Sequence, residues 1–271
     1  MPDSSPAGPL RAAAFFDLDK TVIAKSSALA FSKPFYQGGL INRRAVLRSA
    51  YAQFVYLAGG VDADQMERMR KYLSSLCVGW DVAQVRDIIS ETLHDSIDPL
   101  IYAEAADLIE EHHLAGRDVV LVSTSGSEIV TPIGELLGAD RVLATRMAVD
   151  DGGRYTGEIE FYAYGDNKAA AMRELAEAED IDLGRSYAYS DSGTDVPMLE
   201  AVGHPHAVNP DRALRKEAAE RGWPVLVFSR PVSMRSRIPA IPRPSRSVVA
   251  ATAVAAGAAA AAAVLWISRR G

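Results

Sequence analysis

Ala12-Ala13-Ala14-Phe15-Phe16-Asp17-Leu18-Asp19-Lys20-Thr21 decides how this chain is read. Five apolar residues make a short buried strand, and two carboxylates and a hydroxyl follow at alternate positions. In an open parallel sheet, ligands bind just beyond the carboxyl ends of the strands, where such a strand delivers its next residues into a crevice. Acids two residues apart on extended chain point the same way, so Asp17 and Asp19 are expected to meet one substrate or ion. On these ten residues alone, a strand ending in a polar turn is an equal reading, because Asp is common in turns. The rest of the chain tips the balance.

Asp118-Val119-Val120-Leu121-Val122 is a second apolar run and leads directly into Ser123-Thr124-Ser125-Gly126-Ser127-Glu128. Small hydroxyls and a glycine ahead of a helix present backbone N–H groups to an anion, and Ser125 with Glu128 also fits a capping box. Gly138 closes that helix. Tyr187-Ala188-Tyr189 is a third run, ending in Ser190-Asp191-Ser192-Gly193-Thr194-Asp195 with Pro197 in the first turn of the next helix. Residues 204–208 and 225–228 read as two more strands with a helix over 211–222 between them. Residues 146–160 read as a hairpin around Asp150-Asp151-Gly152-Gly153. Lys168 stands near the start of an Ala/Glu-rich helix, where the helix dipole disfavours a cation unless an anion lies close. Strand and helix alternate, which predicts an α/β fold with a doubly wound parallel sheet.

Between the first two strands the sequence is helical. Residues 40–57 place Leu40, Ile41, Val46, Leu47, Tyr51, Phe54 and Val55 on one face. Asp62 or Asp64 caps a following helix, Asp81 opens another through Val85, Ile88 and Ile89, and Pro99 precedes one that runs to His113. Such stripes are core more often than ligand box. The expected layout is a disordered lead over 1–11, an α/β core over 12–24 and 101–229, and a helical cap over 25–100. A Pro/Arg-rich linker over 230–246 and a transmembrane helix over 247–268 complete it.

The 271 residues carry a net charge of −6, but the seven arginines from Arg230 onward have no acid among them, which leaves residues 1–229 at about −13. So acidic a body argues against nucleic-acid partners. The single cysteine, Cys77, excludes an intrachain disulfide and reads as a small buried hydrophobe. The first ten residues lack the basic and apolar segments of a secretory signal. Residues 247–268 are uncharged, mostly Ala and Val, and as a helix would span roughly 33 Å. Trp266 near one end and the excess of upstream arginines predict a single-pass C-terminal anchor with the body cytoplasmic.

Three strand ends thus deliver Asp17, Asp19 and Thr21; Ser123 and Thr124; and Asp191 and Asp195, with Lys168 entering from a helix start. The set suits phosphoryl transfer. A carboxylate is a competent nucleophile toward phosphorus, a second acid can protonate the leaving oxygen and later activate water, and hydroxyls, amides and a lysine offset charge on the transferring group.

The order of these motifs, Asp17-Leu18-Asp19-Lys20-Thr21, a strand ending in Ser123, then Lys168, then Asp191 with Asp195, resembles the haloacid dehalogenase-like phosphohydrolase superfamily. The helical insert and the closing Ala207-Val208-Asn209-Pro210-Asp211 are similar to its subfamily IB, which contains phosphoserine phosphatase. The resemblance covers about residues 12–228. It implies Asp17 as nucleophile and Mg²⁺ ligand, Asp19 as general acid/base with its carbonyl on the metal, and Asp191 completing the metal site. It implies Ser123, with Thr124 as alternative, on the phosphoryl oxygens, Lys168 as catalytic charge balance, and Thr21 and Asp195 as supports. Phosphoserine phosphatases carry an acid nine positions after the nucleophile, and here that position is Ser26. The anchor and the apolar cap extend the expected small phosphorylated substrates to lipid-derived phosphates. A membrane-tethered, non-catalytic binding protein is the alternative. Asp19-Lys20-Thr21 also matches the start of the P-type ATPase phosphorylation motif, but Val22-Ile23 follow in place of Gly-Thr and a single span cannot make a pump.

Overall fold

The computed structural model describes residues 11–41 and 74–231. A seven-stranded sheet runs through them in the order β4-β3-β2-β1-β5-β6-β7. Its strands are β1 (Ala13–Asp17), β2 (Asp118–Gly126), β3 (Arg141–Val149), β4 (Tyr155–Phe161), β5 (Tyr187–Ser190), β6 (His204–Val208) and β7 (Val225–Leu226). Every neighbouring pair is parallel except β3 with β4. The chain winds outward from β1 in both directions, which puts the carboxyl ends of β2, β1 and β5 side by side at one edge.

The helices among the described residues are α1 (Ser27–Ala30), α2 (Ser32–Gln37), α3 (Val82–Ile97), α4 (Ala103–Leu114), α5 (Ser127–Leu137), α6 (Asp166–Ala178), α7 (Val196–Glu200) and α8 (Arg212–Arg221). The pleat of β1 sorts them into two layers. Ala14 and Phe16 join a buried cluster with Ile109 of α4 and Val130 and Ile133 of α5. Ala13 and Phe15 face the other way, onto Met172 of α6, Met198 and Leu199 of α7, and Leu214 of α8. Phe15 and Phe16 are both wholly buried, each worth about 2–3 kcal/mol of transferred apolar surface. That is why five residues suffice to anchor the sheet's centre.

The insert between β1 and β2 leaves and returns through a two-stranded neck. Ala24 N–H donates to the Leu100 carbonyl (2.8 Å) and Tyr102 N–H to that of Val22 (3.0 Å). Asp81 caps α3 as its sequence predicts, its Oδ1 accepting from the amides of Ala83 (2.9 Å) and Gln84 (3.2 Å). Gly138 ends α5 in the left-handed conformation, φ 75°. The expected helices over 40–57 and from Asp62 onward lie almost wholly outside the described residues.

Four expectations need correction. β2 does not stop at Val122 but runs to Gly126, its register against β3 shifting between Ser123 and Gly126. β3 begins at Arg141, five residues before the expected hairpin, because Arg141-Val142-Leu143-Ala144-Thr145 pairs in parallel with β2 before the same strand turns to pair with β4. The capping box at Ser125 is absent: Gly126 is the N-cap of α5 with no side-chain bond, and the Glu128 carboxylate accepts from Ser127 Oγ. Finally, the α/β core stands, but the described residues supply no transmembrane helix to go with it. Among the described residues no helix is long and apolar enough to cross a membrane, and 247–268 lies outside them.

His112, near the end of α4, is a core residue. It is 2 % exposed; Arg117 Nε donates to its Nδ1 (2.7 Å), so Nε2 carries the proton and donates to Tyr189 Oη (2.8 Å). Burial, followed by the charge of Arg117, holds its pKa down at about 4. A histidine depressed below its unfolded value of about 6.5 contributes stability above that pH and loses it as pH falls toward the folded value. Urea unfolding is expected to show wild type losing about 2 kcal/mol from this group between pH 7.5 and pH 5. In His112→Gln that part of the pH dependence should be missing, and an unchanged slope would contradict the assignment.

Candidate active site

The parallel register sets the site. Asp17 pairs with Val122 of β2, and Phe16 pairs with Tyr189 of β5, so Asp17 and Ser190 end their strands at the same level and Ser123 lies one residue beyond it on β2. Lys168, third residue of α6, reaches into this edge. Its Nζ donates to Asp17 Oδ1 and to Asp195 Oδ2, both at 2.7 Å, and its side chain is 2 % exposed. An ammonium in the first turn of a helix is unfavourable unless an anion compensates; here two do. Burial alone would lower the lysine's pKa, but Asp17 and Asp195 hold it above its ordinary value.

Asp195 is fixed from a second side by Ser190 Oγ (2.7 Å), which also accepts the Ser192 amide (3.2 Å). Asp211 buttresses the same loop: its N–H donates to the Asp191 carbonyl (2.8 Å), and its Oδ2 accepts from the Gly193 amide (3.1 Å). Lys20 takes the left-handed conformation, φ 67°, and brings Nζ to 3.9 Å from Asp191 Oδ2. For a side chain bearing a Cβ that conformation costs on the order of 1 kcal/mol.

Asp19 is held at both oxygens. Oδ1 accepts the Ser27 amide (2.8 Å) and Oδ2 accepts Ser125 Oγ (3.0 Å), while Ser27 Oγ donates on to Ser125 Oγ (2.8 Å). Of the two hydroxyls expected on a phosphoryl group, Ser123 is buried at the strand end, its Oγ accepting the Ser125 amide (3.2 Å). Thr124, the alternative, donates its hydroxyl to the Ala163 carbonyl (2.9 Å). Thr21 is wholly buried and its Oγ1 has no hydrogen-bond partner among the described residues, so nothing here joins it to the cluster.

Asp17, Asp191 and Asp195 are all buried; Asp17 and Asp195 share the buried Lys168 ammonium, while Asp191 faces the more exposed Lys20. Burial pushes Asp17 well above the usual carboxylate range against the pull of Lys168, and does the same to Asp191 against that of Lys20. The site is short of positive charge. Among the described residues no three His, Cys, Asp or Glu side chains cluster as a metal centre. The donors that remain are the two carboxylates of Asp17 and Asp191. Hard, all-oxygen and doubly negative, that set fits Mg²⁺.

Of the residues singled out in the sequence, Asp17, Lys168 and Asp195 meet in one buried bridge, with Asp191 held near Lys20. Sequence reading misses Ser125 and Ser190. A serine at a strand end was visible in both cases, but which carboxylate its hydroxyl would reach was not.

The sequence family described as haloacid dehalogenase-like hydrolase matches residues 14–200. A Streptomyces azureus protein named inhibition of morphological differentiation protein is 70% identical over 96% of this chain and 94% of its own length. A probable phosphatase of Mycobacterium tuberculosis is 66% identical over 90% and 83% of the two chains. A phosphoserine phosphatase of the same organism is 36% identical over 83% and 74%. Among solved structures, a Bordetella pertussis protein of unknown function matches with a TM-score of 0.71 and 30% identity, over 80% of this chain and 99% of its own. A substrate-bound phosphoserine phosphatase matches at 0.60 with 21% identity, over 84% and 97%, a likeness of fold.

Proposed function

This chain belongs to the haloacid dehalogenase-like hydrolase family, and we propose that it hydrolyses a phosphate monoester through an aspartyl phosphate formed on Asp17. The observation that carries this reading is the buried Asp17–Lys168–Asp195 bridge, with Asp19 fixed two residues beyond the nucleophile. A purely binding module has no use for an acid held at both oxygens beside a second buried acid.

In the first half-reaction an Asp17 carboxylate oxygen attacks phosphorus, the ester P–O bond breaks, and Asp19 gives its proton to the departing alkoxide. In the second, water attacks phosphorus, Asp19 takes the water's proton, and the Asp17–phosphorus bond breaks to release inorganic phosphate. Lys168 holds Asp17 in place and offsets charge on the transferring group, while Ser190 keeps Asp195 aimed at Lys168. Ser123 is assigned to the phosphoryl oxygens. Mg²⁺, if held by the Asp17 and Asp191 carboxylates and the Asp19 carbonyl, would supply charge neutralisation at the phosphoryl group.

The substrate class is a small phosphate monoester. The proteins at 66% and 36% identity are named phosphatases, and the latter a phosphoserine phosphatase. Ser26 supplies no charge for a substrate amine at the position where the resemblance places an acid. The expectation of a lipid-derived phosphate, built on the anchor and the apolar cap, has no support among the described residues or the named relatives.

Phosphate release across a panel of soluble phosphomonoesters tests this reading. Chelation with EDTA is expected to lower turnover by at least about 100-fold, and added Mg²⁺ to restore it. Turnover that survives exhaustive chelation would remove the metal from the account. Absence of any phosphate release by folded protein would remove the reaction.

A further inference from the structure

Asp19 must rotate neither toward Lys168 nor into solvent if it is to deliver a proton to one oxygen and later collect one from water. A free Asp side chain has several rotamers and a broad second torsion. Here two groups from different parts of the chain close that freedom. The Ser27 amide comes from the start of α1, in the insert that follows β1, and the Ser125 hydroxyl comes from the far end of β2. Ser27 is wholly buried, and its own hydroxyl donates to Ser125 Oγ. The chain of donors Ser27 Oγ–H to Ser125 Oγ–H to Asp19 Oδ2 is therefore directional. Ser125 can direct its single proton to Asp19 because its lone pair is occupied by Ser27, and each bond in such a chain strengthens the next. Each carboxylate oxygen keeps a further lone pair for the proton in transit.

We propose that Ser125 is the positioning residue for Asp19, holding the acid's carboxyl in register for proton transfer, with Ser27 locking Ser125 in the donating orientation. The inference rests on the phosphatase reading above and goes beyond it. In the step concerned, the ester P–O bond breaks as the Asp17–phosphorus bond forms, and the Asp19 proton goes to the alkoxide to give the free alcohol. The arrangement also makes a correctly held acid depend on α1 lying against the β2–α5 connection, since one of its two clamps comes from each.

Leaving-group dependence separates this role from a structural one. A nitrophenolate departs without a proton, whereas an alkoxide needs one, so a misplaced acid harms only the alkyl ester. The quantity to compare is kcat/KM, which reports the steps through first bond cleavage, for p-nitrophenyl phosphate and for the alkyl phosphate that wild type turns over best. Ser125→Ala is expected to lower kcat/KM about 10- to 100-fold on the alkyl phosphate and less than about threefold on p-nitrophenyl phosphate. Inhibition by inorganic phosphate should stay unchanged. Ser125→Thr, which keeps the hydroxyl, should recover most of the loss. Ser27→Ala, which keeps the backbone donor, should lie between. If Ser125→Ala does not fold, the Thr and Ser27 variants carry the same comparison. Equal losses on the two substrates, or a weakened phosphate inhibition, would overturn the positioning role and leave the phosphatase reading intact. Wild type that turns over neither ester would overturn both.

Discussion

Asp17→Asn is expected to lower phosphate release from p-nitrophenyl phosphate by at least about 10³-fold while leaving the fold intact. The carboxamide matches the carboxylate in size and can still accept from Lys168 Nζ through Oδ1, so packing at the end of β1 is preserved. It cannot attack phosphorus. The same substitution removes one of the two buried carboxylates that share the Lys168 ammonium. Thermal stability should therefore hold or rise slightly, because an uncompensated buried charge is costly. A variant that melts with wild type yet retains turnover would place the nucleophile elsewhere.

Lys168→Met is expected to damage both activity and stability. Removing one partner of a buried ionic cluster leaves the others desolvated and unpaired, typically at about 3–5 kcal/mol. In a domain of this size that lowers the melting temperature by roughly 6–15 °C. Turnover should fall about 100-fold or more, since the ammonium that orients Asp17 is gone. Lys168→Arg should not rescue it, because a planar guanidinium does not fit a site where the side chain is 2 % exposed and both acceptors lie at 2.7 Å. In the double variant Asp17→Asn with Lys168→Met, the stability loss should be smaller than in Lys168→Met alone. Differential scanning calorimetry of the three proteins checks the coupling, and strict additivity would contradict a shared cluster.

The fold was legible where a single apolar run had a single explanation. β1 and β5 were legible because short buried strands of a parallel sheet are continuous runs of apolar and aromatic residues that end in polar ones. Arg141-Val142-Leu143-Ala144-Thr145 escaped because one strand serves two partners, parallel at its start and antiparallel at its end, and a hairpin signal at Gly152-Gly153 marked only the second. The site was legible in its charges. A lysine at a helix start is electrostatically conspicuous, and Asp17, Asp191 and Asp195 were placed by position alone. The hydroxyls were not legible. Ser190 reads only as the first polar residue after a short strand, yet in space it is the donor that orients Asp195. Ser125 reads as a helix cap, yet it serves Asp19. A serine's local bonding options all look alike in sequence, and tertiary structure decides among them.

The most direct test of the account is to trap the acyl phosphate. Protein turning over p-nitrophenyl phosphate would be quenched in acid, reduced with borohydride and mapped by peptide mass spectrometry. An aspartyl phosphate is reduced to homoserine, and the account predicts that mass change at residue 17, dependent on substrate and absent from Asp17→Asn. Conversion at another carboxylate, or phosphate carried by Ser123 in actively turning-over protein, would contradict it.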